Sequence, residues 1–340
     1  MLDFSCDYNV GTAPEILRAL TDINNDHEKT YGWDKYCDSA KEKIRKETGN
    51  PDAEIWFMTG GTQTNQIALS HLIKSYEGIL SAKTGHIAVH EAGAVEMTGH
   101  KVIEIDAHSD GRIDIDALKK WLETYYADPV YEHMVTPGAV YITHPTEYGG
   151  LYSLDELKRI RAICDEYNAK LYLDGARLAY GLASDGSDIT MKDLGTYCDA
   201  FYIGGTKCEA LMGEALVFKA PQSRFFTHRK RHGGLLAKGW LLGIQFDTLF
   251  TDDLYYKLGR NAFDRAMQIK AGLKELGYEF FSDSKTNQQF ILVSDEKLEQ
   301  ISKDVTTDYW GKQGDKNIIR ICTSWKTTEE EVSELLKYMK

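Results

Sequence analysis

Proline is scarce, six in 340 residues, which excludes long extended linkers. Cysteine is equally sparse: Cys6, Cys37, Cys164, Cys198, Cys208 and Cys322 are scattered without any Cys-x-x-Cys spacing. Neither a zinc ribbon nor a redox dithiol is written in the chain, and a reducing cytoplasm is its simplest home. A basic surplus is missing too, since 40 Lys and Arg face 52 Asp and Glu for a formal net charge of −12. Nucleic acid and anionic membrane surfaces call for the opposite sign, so neither is expected as a partner. No stretch approaches the ~18 apolar residues of a membrane span, and the first residues, with Asp3 and Asp7, lack the basic-then-apolar order of a secretory leader. What is present, 42% apolar and 27% charged residues, is the composition of an ordinary globular protein. The length corresponds to roughly two domains of about 150 residues.

Apolar strand-like runs alternate with longer helical patterns, the signature of βαβ units and hence of an α/β fold around a mostly parallel sheet. In the clearest unit, a strand at Ala139-Val140-Tyr141-Ile142-Thr143 precedes a helix opening at Ser153, where Glu156 completes a capping box. That helix ends near Asn168, and a strand at Lys170-Leu171-Tyr172-Leu173 then delivers Asp174 to its carboxyl end, where open α/β sheets hold ligands. A further strand, Ala200 to Ile203, runs into Gly204-Gly205-Thr206-Lys207, with a neighbouring strand at Ala215 to Phe218. Beyond about residue 250 come a long helix (Leu258 to Leu276), strands at Gln289 to Val293 and Ile318 to Ile321, and a last helix with a second capping box, Thr328 and Glu331. The expected division is a large domain, residues 1–250, and a smaller C-terminal α+β domain, residues 251–340.

Three sets of residues are candidates for chemistry. Phe57-Met58-Thr59-Gly60-Gly61-Thr62 reads as strand, glycine turn and helix start, which makes a phosphate cradle or, more plainly, an ordinary capped turn. It carries neither the Walker nor the Rossmann glycine spacing. Asp174 at one strand end and Lys207 after the next suit pyridoxal 5'-phosphate, the acid pairing with the pyridine nitrogen and the amine forming a Schiff base; an ion pair at the sheet edge is the plainer reading. A nearby Arg177 would help to lower the lysine pKa. His86 offers a ring to stack on a cofactor and a proton carrier, while His90 at i+4 with Glu91 beside it raises metal binding, although the zinc-protease spacing and a third ligand are missing. His144 is a weaker catalytic candidate at another strand end.

These residues, in this order, resemble the L-threonine aldolases of the aspartate-aminotransferase-like, fold type I pyridoxal phosphate enzymes, in their low-specificity branch (the aromatic amino acid β-eliminating lyase/threonine aldolase family). The resemblance spans nearly the whole chain: Asp7 with Pro14-Glu15, His27 to Gly32, Gly60-Gly61-Thr62 with Asn65, His86 with Glu91-Ala92-Gly93, Thr146 to Gly149, Leu173 to Arg177, Gly204 to Lys207, and Arg320 before Cys322 to Trp325. It implies that Lys207 carries the coenzyme, Asp174 serves the pyridine nitrogen, Gly60, Gly61 and Thr62 the phosphate, and that His86 stacks on the ring and acts as base. It further implies that Arg177 and Arg320 grip the substrate carboxylate, with Tyr31 near an active site shared across a homodimer or homotetramer. The run Arg229-Lys230-Arg231 with Lys238 falls where relatives supply a phosphate contact from a neighbouring subunit. Cys6 stands where many relatives place a serine near the carboxylate, and a thiol is the weaker hydrogen-bonding group.

The implied reaction is cleavage of L-threonine, L-allo-threonine or a related β-hydroxy-α-amino acid to glycine and an aldehyde. The alternatives are a β-eliminating lyase or phenylserine-type aldolase using the same residues, a catalytically silent coenzyme-binding or interaction protein, and a metal hydrolase built on His86 and His90.

Overall fold

The computed structural model describes residues 1–340. A two-residue strand, β1 (Leu2–Asp3), opens the chain. The large sheet is built from β2 (Glu54–Met58), β3 (Glu77–Ala82), β4 (Val102–Ile105), β5 (Thr136–Thr143), β6 (Lys170–Asp174), β7 (Ala200–Gly204) and β8 (Glu214–Phe218), in the order β2-β8-β7-β6-β5-β3-β4. Only β8 runs against the others, pairing antiparallel with both β7 and β2. Its direction follows from its connection, because the short segment 205–213 returns the chain as a hairpin and leaves no room for a crossover helix. That hairpin carries Lys207.

Alternation along each strand feeds two cores. Val140, Ile142, Leu171, Leu173, Phe201 and Ile203 face one layer of helices, while Ala139, Tyr141, Tyr172, Ala200 and Tyr202 face the other. Three tyrosines therefore point from adjacent strands to the same side of the sheet. The helix Leu154–Glu166 begins with the expected Ser153/Glu156 capping box and buries Leu157, Ile160, Ile163 and Cys164. Asp174 is the last residue of β6, and Gly175 after it fits only as glycine, since a Cβ there would lie 2.1 Å from the Tyr202 carbonyl oxygen.

The C-terminal part holds β9 (Glu279–Phe280), β10 (Gln288–Val293), β11 (Val305–Thr306), β12 (Asp308–Gln313) and β13 (Lys316–Cys322). Four of these form an antiparallel sheet, β12-β13-β10-β9, and the Thr328/Glu331 capping box starts the last helix, Glu329–Tyr338. The long helix runs Leu254–Glu275, four residues earlier than the apolar pattern suggests, directly after Asp252 and Asp253 in left-handed backbone conformations. Residues 2–4, grouped above with the first 250, join this part: β1 pairs with β11 and Phe4 packs in the core made by Ile269, Ile291, Ile319 and Leu335. No helix is long and apolar enough to cross a membrane.

Candidate active site

Strand ends and one helix start converge on a cavity of about 340 Å³ lined by Thr59, Gly60, Gly61, Thr62, His86, Asp174, Arg177, Thr206 and Lys207 among others. Asp174 forms part of its wall and is buried, yet its carboxylate is well supplied with donors. Oδ2 accepts from the Tyr141 hydroxyl at 2.6 Å and the Asn65 amide at 2.8 Å, and Oδ1 accepts from the Ala176 backbone N–H at 3.0 Å. Three donors thus satisfy a carboxylate that stands away from water.

Asn65 is the junction of the network. The same amide donates to Glu91 Oε1 at 2.8 Å, and the Tyr172 hydroxyl fixes its orientation by donating to its carbonyl oxygen at 3.0 Å. Glu91 Oε1 in turn accepts from His86 Nδ1 at 2.7 Å, and the His86 backbone N–H donates to Glu147 Oε1 at 2.9 Å. Burial alone would pull the His86 imidazole down, but the Glu91 hydrogen bond and the Asp174 charge carry it above its ordinary value. A ring so tethered is a fixed wall.

Lys207, on the β7–β8 hairpin, is pushed below the ordinary lysine pKa, first by burial and then by the positive charge of Arg177. Its backbone carbonyl accepts from the buried Tyr180 hydroxyl, whose oxygen also lies 3.0 Å from Glu209 Oε1. On the same hairpin Glu214 accepts from the Gly205 N–H at 2.8 Å, and burial, offset in part by that bond, raises its carboxyl to about 7. A folded pKa above the unfolded value of about 4.3 means that its contribution to stability is complete below pH ~4 and is lost as pH rises through ~7. Glu214→Gln, which mimics the protonated acid, should match the parent in chemical denaturation near pH 4 and exceed it at pH 8 by about 3 kcal/mol. An equal difference at both pH values would refute the buried titration.

The cradle expected at Gly60-Gly61-Thr62 is the N-terminus of the helix Gly61–Leu72, and no side chain caps it. The first N–H groups of this helix have no partner inside it, and the macrodipole favours an anion there.

A second cavity, about 620 Å³, adjoins the first and shares Tyr8, His86, Glu147, Arg177 and Lys207 with it; His90, Tyr148, Asp308, Tyr309, Trp310 and Arg320 complete it. Arg177 spends Nε and Nη2 on Asp7, at 2.6 and 2.9 Å, so Nη1 is what it has left to offer a ligand. Desolvation opposes ionisation of Asp7, but Arg177 outweighs it and holds the carboxyl at about 2. Arg320 donates to Gln288 and the Ser5 carbonyl, pairs with the Asp308 carboxylate, lies 4.9 Å from the Trp310 ring, and keeps a buried Nε without a partner.

The remaining candidates fall elsewhere. Cys6 is half-buried and lines neither cavity; Tyr8, two residues on, lines both and lies under the Lys207 ammonium at 5.7 Å. Tyr31 lines neither cavity, has a left-handed backbone, and has Lys230 Nζ 5.1 Å from its ring centre. Arg229 is buried and donates to the carbonyls of Gly234 and Phe57, so its guanidinium is committed to the fold. His144 is buried and lines neither cavity, although Thr143 and Pro145 on either side of it line the first, and desolvation lowers it to about 4. No three His, Cys, Asp or Glu side chains are grouped to hold a metal.

The beta-eliminating lyase profile matches residues 3–296. This chain belongs to that family. The member is 30% identical over 342 residues to the low specificity L-threonine aldolase of Pseudomonas sp. (strain NCIMB 10558), a match spanning 98% of this chain and 95% of the relative. A solved threonine aldolase of Leishmania major superposes with a TM-score of 0.96 at 36% identity, covering 100% of this chain and 98% of that one. A lysine-to-alanine variant of serine palmitoyltransferase from S. paucimobilis with a bound PLP-myriocin aldimine gives a TM-score of 0.72 at 13% identity over 99% of this chain and 86% of its own, a likeness of fold alone. The family resemblance and fold class read from the motifs are thus borne out.

Proposed function

We propose that this family member is a threonine aldolase using pyridoxal 5'-phosphate, cleaving L-threonine, L-allo-threonine and related β-hydroxy-α-amino acids to glycine and an aldehyde. The observation that carries this reading is the meeting of two cavities at Lys207, one with an anion site and a buried carboxylate, the other with Arg177, whose Nη1 is left over from its pairing with Asp7, and with Arg320. The residues fit the coenzyme. The uncapped helix start at Gly60, Gly61 and Thr62 would take the phosphate, Asp174 the ring N–H, the His86 imidazole one face of the ring, and Lys207 the aldehyde. Once bound, the coenzyme supplies an aldehyde for amines and an electron-withdrawing ring that accepts the electron pair of a broken bond to Cα.

The chain's own residues do the rest. Burial and Arg177 enlarge the neutral fraction of the Lys207 amine, the form that attacks carbonyls. Arg177 Nη1 and the Arg320 guanidinium would take the substrate carboxylate, which fixes rotation about the N–Cα bond and so selects which bond to Cα is broken. Tyr8, Tyr148 and Trp310 around the second cavity admit an aryl β-substituent, so phenylserine-type substrates fall within the same reading.

Assembly belongs to the proposal as well: Tyr31 and Lys230, which line neither cavity of their own chain, would serve the site of a second copy in a homodimer or homotetramer. Six unbridged thiols support a cytoplasmic setting.

Product analysis after incubation with L-threonine and coenzyme tests the function. Glycine and acetaldehyde in equal amounts are expected; an oxo acid with ammonia would replace the aldolase by an eliminating lyase.

A further inference from the structure

Cleaving the Cα–Cβ bond of a β-hydroxy amino acid requires a group that takes the hydroxyl proton. His86 is poorly suited, because its Nδ1 is committed to Glu91 and the pair favours the charged imidazole. One turn further on, His90 follows the short helix His86–Val89, its ring 5.7 Å from that of His86 and 6.3 Å from Trp310. No protein group hydrogen-bonds the His90 ring, and it lines the substrate cavity together with Lys207 and Arg320 without lining the coenzyme cavity. The i, i+4 spacing has thus set two imidazoles side by side, one fixed as a wall and one open to the substrate's distal end.

We infer that His90 is the catalytic base that accepts the β-hydroxyl proton. This rests on the aldolase reading above. The O–H proton passes to the open imidazole, and the O–H electron pair becomes the second bond of the aldehyde carbonyl. The Cα–Cβ pair stays with the α-carbon, which gains a proton in the place of the lost carbon and leaves as glycine. The proton on His90 returns to solvent, so the count closes. The groups facing His90 suit the role. Burial, then the positive charges of His86, Arg320 and Lys207, favour its neutral form, and Asp308 alone opposes them. Cleavage should therefore fall as pH drops through a value below 6.5, as the base becomes charged.

The test uses two reactions of the coenzyme-loaded protein: cleavage of L-threonine, and exchange of the glycine α-proton in deuterated water, which involves no hydroxyl group. His90→Phe and His90→Gln should each lose cleavage by about 100-fold and keep glycine exchange within about twofold of the parent. His86→Asn should lower both reactions together. Parental cleavage in either His90 variant, or exchange falling in step with cleavage, overturns the assignment. A wild-type chain that catalyses neither reaction overturns the aldolase reading and this inference with it, whereas intact wild-type activity beside fully active variants overturns His90 alone.

Discussion

Lys207→Ala is expected to lower aldol cleavage by about 10⁴-fold or more, because one amine serves both as the attachment point and as a mobile proton carrier, and a positioned proton-transfer group alone supplies up to about that factor. Little folding stability should be lost. The ammonium form is disfavoured where it stands, and the hairpin is held by main-chain and side-chain bonds independent of the amine, from Tyr180 to the Lys207 carbonyl and from Gly205 to Glu214. Borohydride should fix the coenzyme to the parent at residue 207 and leave the variant unlabelled. A variant labelled as fully as the parent at another lysine would remove residue 207 from its role.

Asp174→Asn should produce the second largest loss. The substitution removes the buried negative charge and replaces one acceptor by a donor, while Oδ2 now receives both Tyr141 and Asn65 and Oδ1 receives Ala176. Whichever way the amide turns, at least one N–H or O–H that had an acceptor faces another donor. About 1–3 kcal/mol of stability should go with that mismatch. A drop of about 10²–10³ in kcat is expected from the missing charge, comparable to removal of a preorganised electrostatic group elsewhere. The uncapped helix start survives the change, so coenzyme should still bind, and a spectroscopic titration would show it. Unaltered kcat at parental stability would place the pyridine nitrogen away from this carboxylate.

How much of this was legible in the chain depends on how local each signal is. The strand leading to Asp174, the Gly204-Gly205-Thr206-Lys207 turn and the capping boxes at Ser153 and Thr328 are written in consecutive residues, and the structure has them where the pattern puts them. The wiring between them is not written that way. Asn65 was visible as part of a motif, but its double donation joins residues 26 and 109 positions away, which no periodicity encodes. Tyr141 and Tyr172 read as strand apolars, and only the shared face of adjacent strands shows their hydroxyls aimed at the site. Tyr8 and Trp310 were missed because an exposed aromatic in an irregular segment and a half-buried one in a strand of broken register carry no periodic signal. The paired histidines show the opposite case: their spacing was plain, and it suggested a metal, but the Glu91 bond to one ring alone separates their duties.

The ribbon formed by residues 2–8 has a consequence of its own. It pairs with β11, gives its Phe4 carbonyl to the Cys322 N–H, its Ser5 carbonyl to Arg320 and its Asp7 carboxylate to both Arg177 and Asn287, and it ends with Tyr8 beneath Lys207. A bulky fusion that pries this ribbon loose would unmoor both guanidinium groups and the Tyr8 ring in one motion, so an affinity handle is better attached beyond Tyr338 than ahead of Leu2.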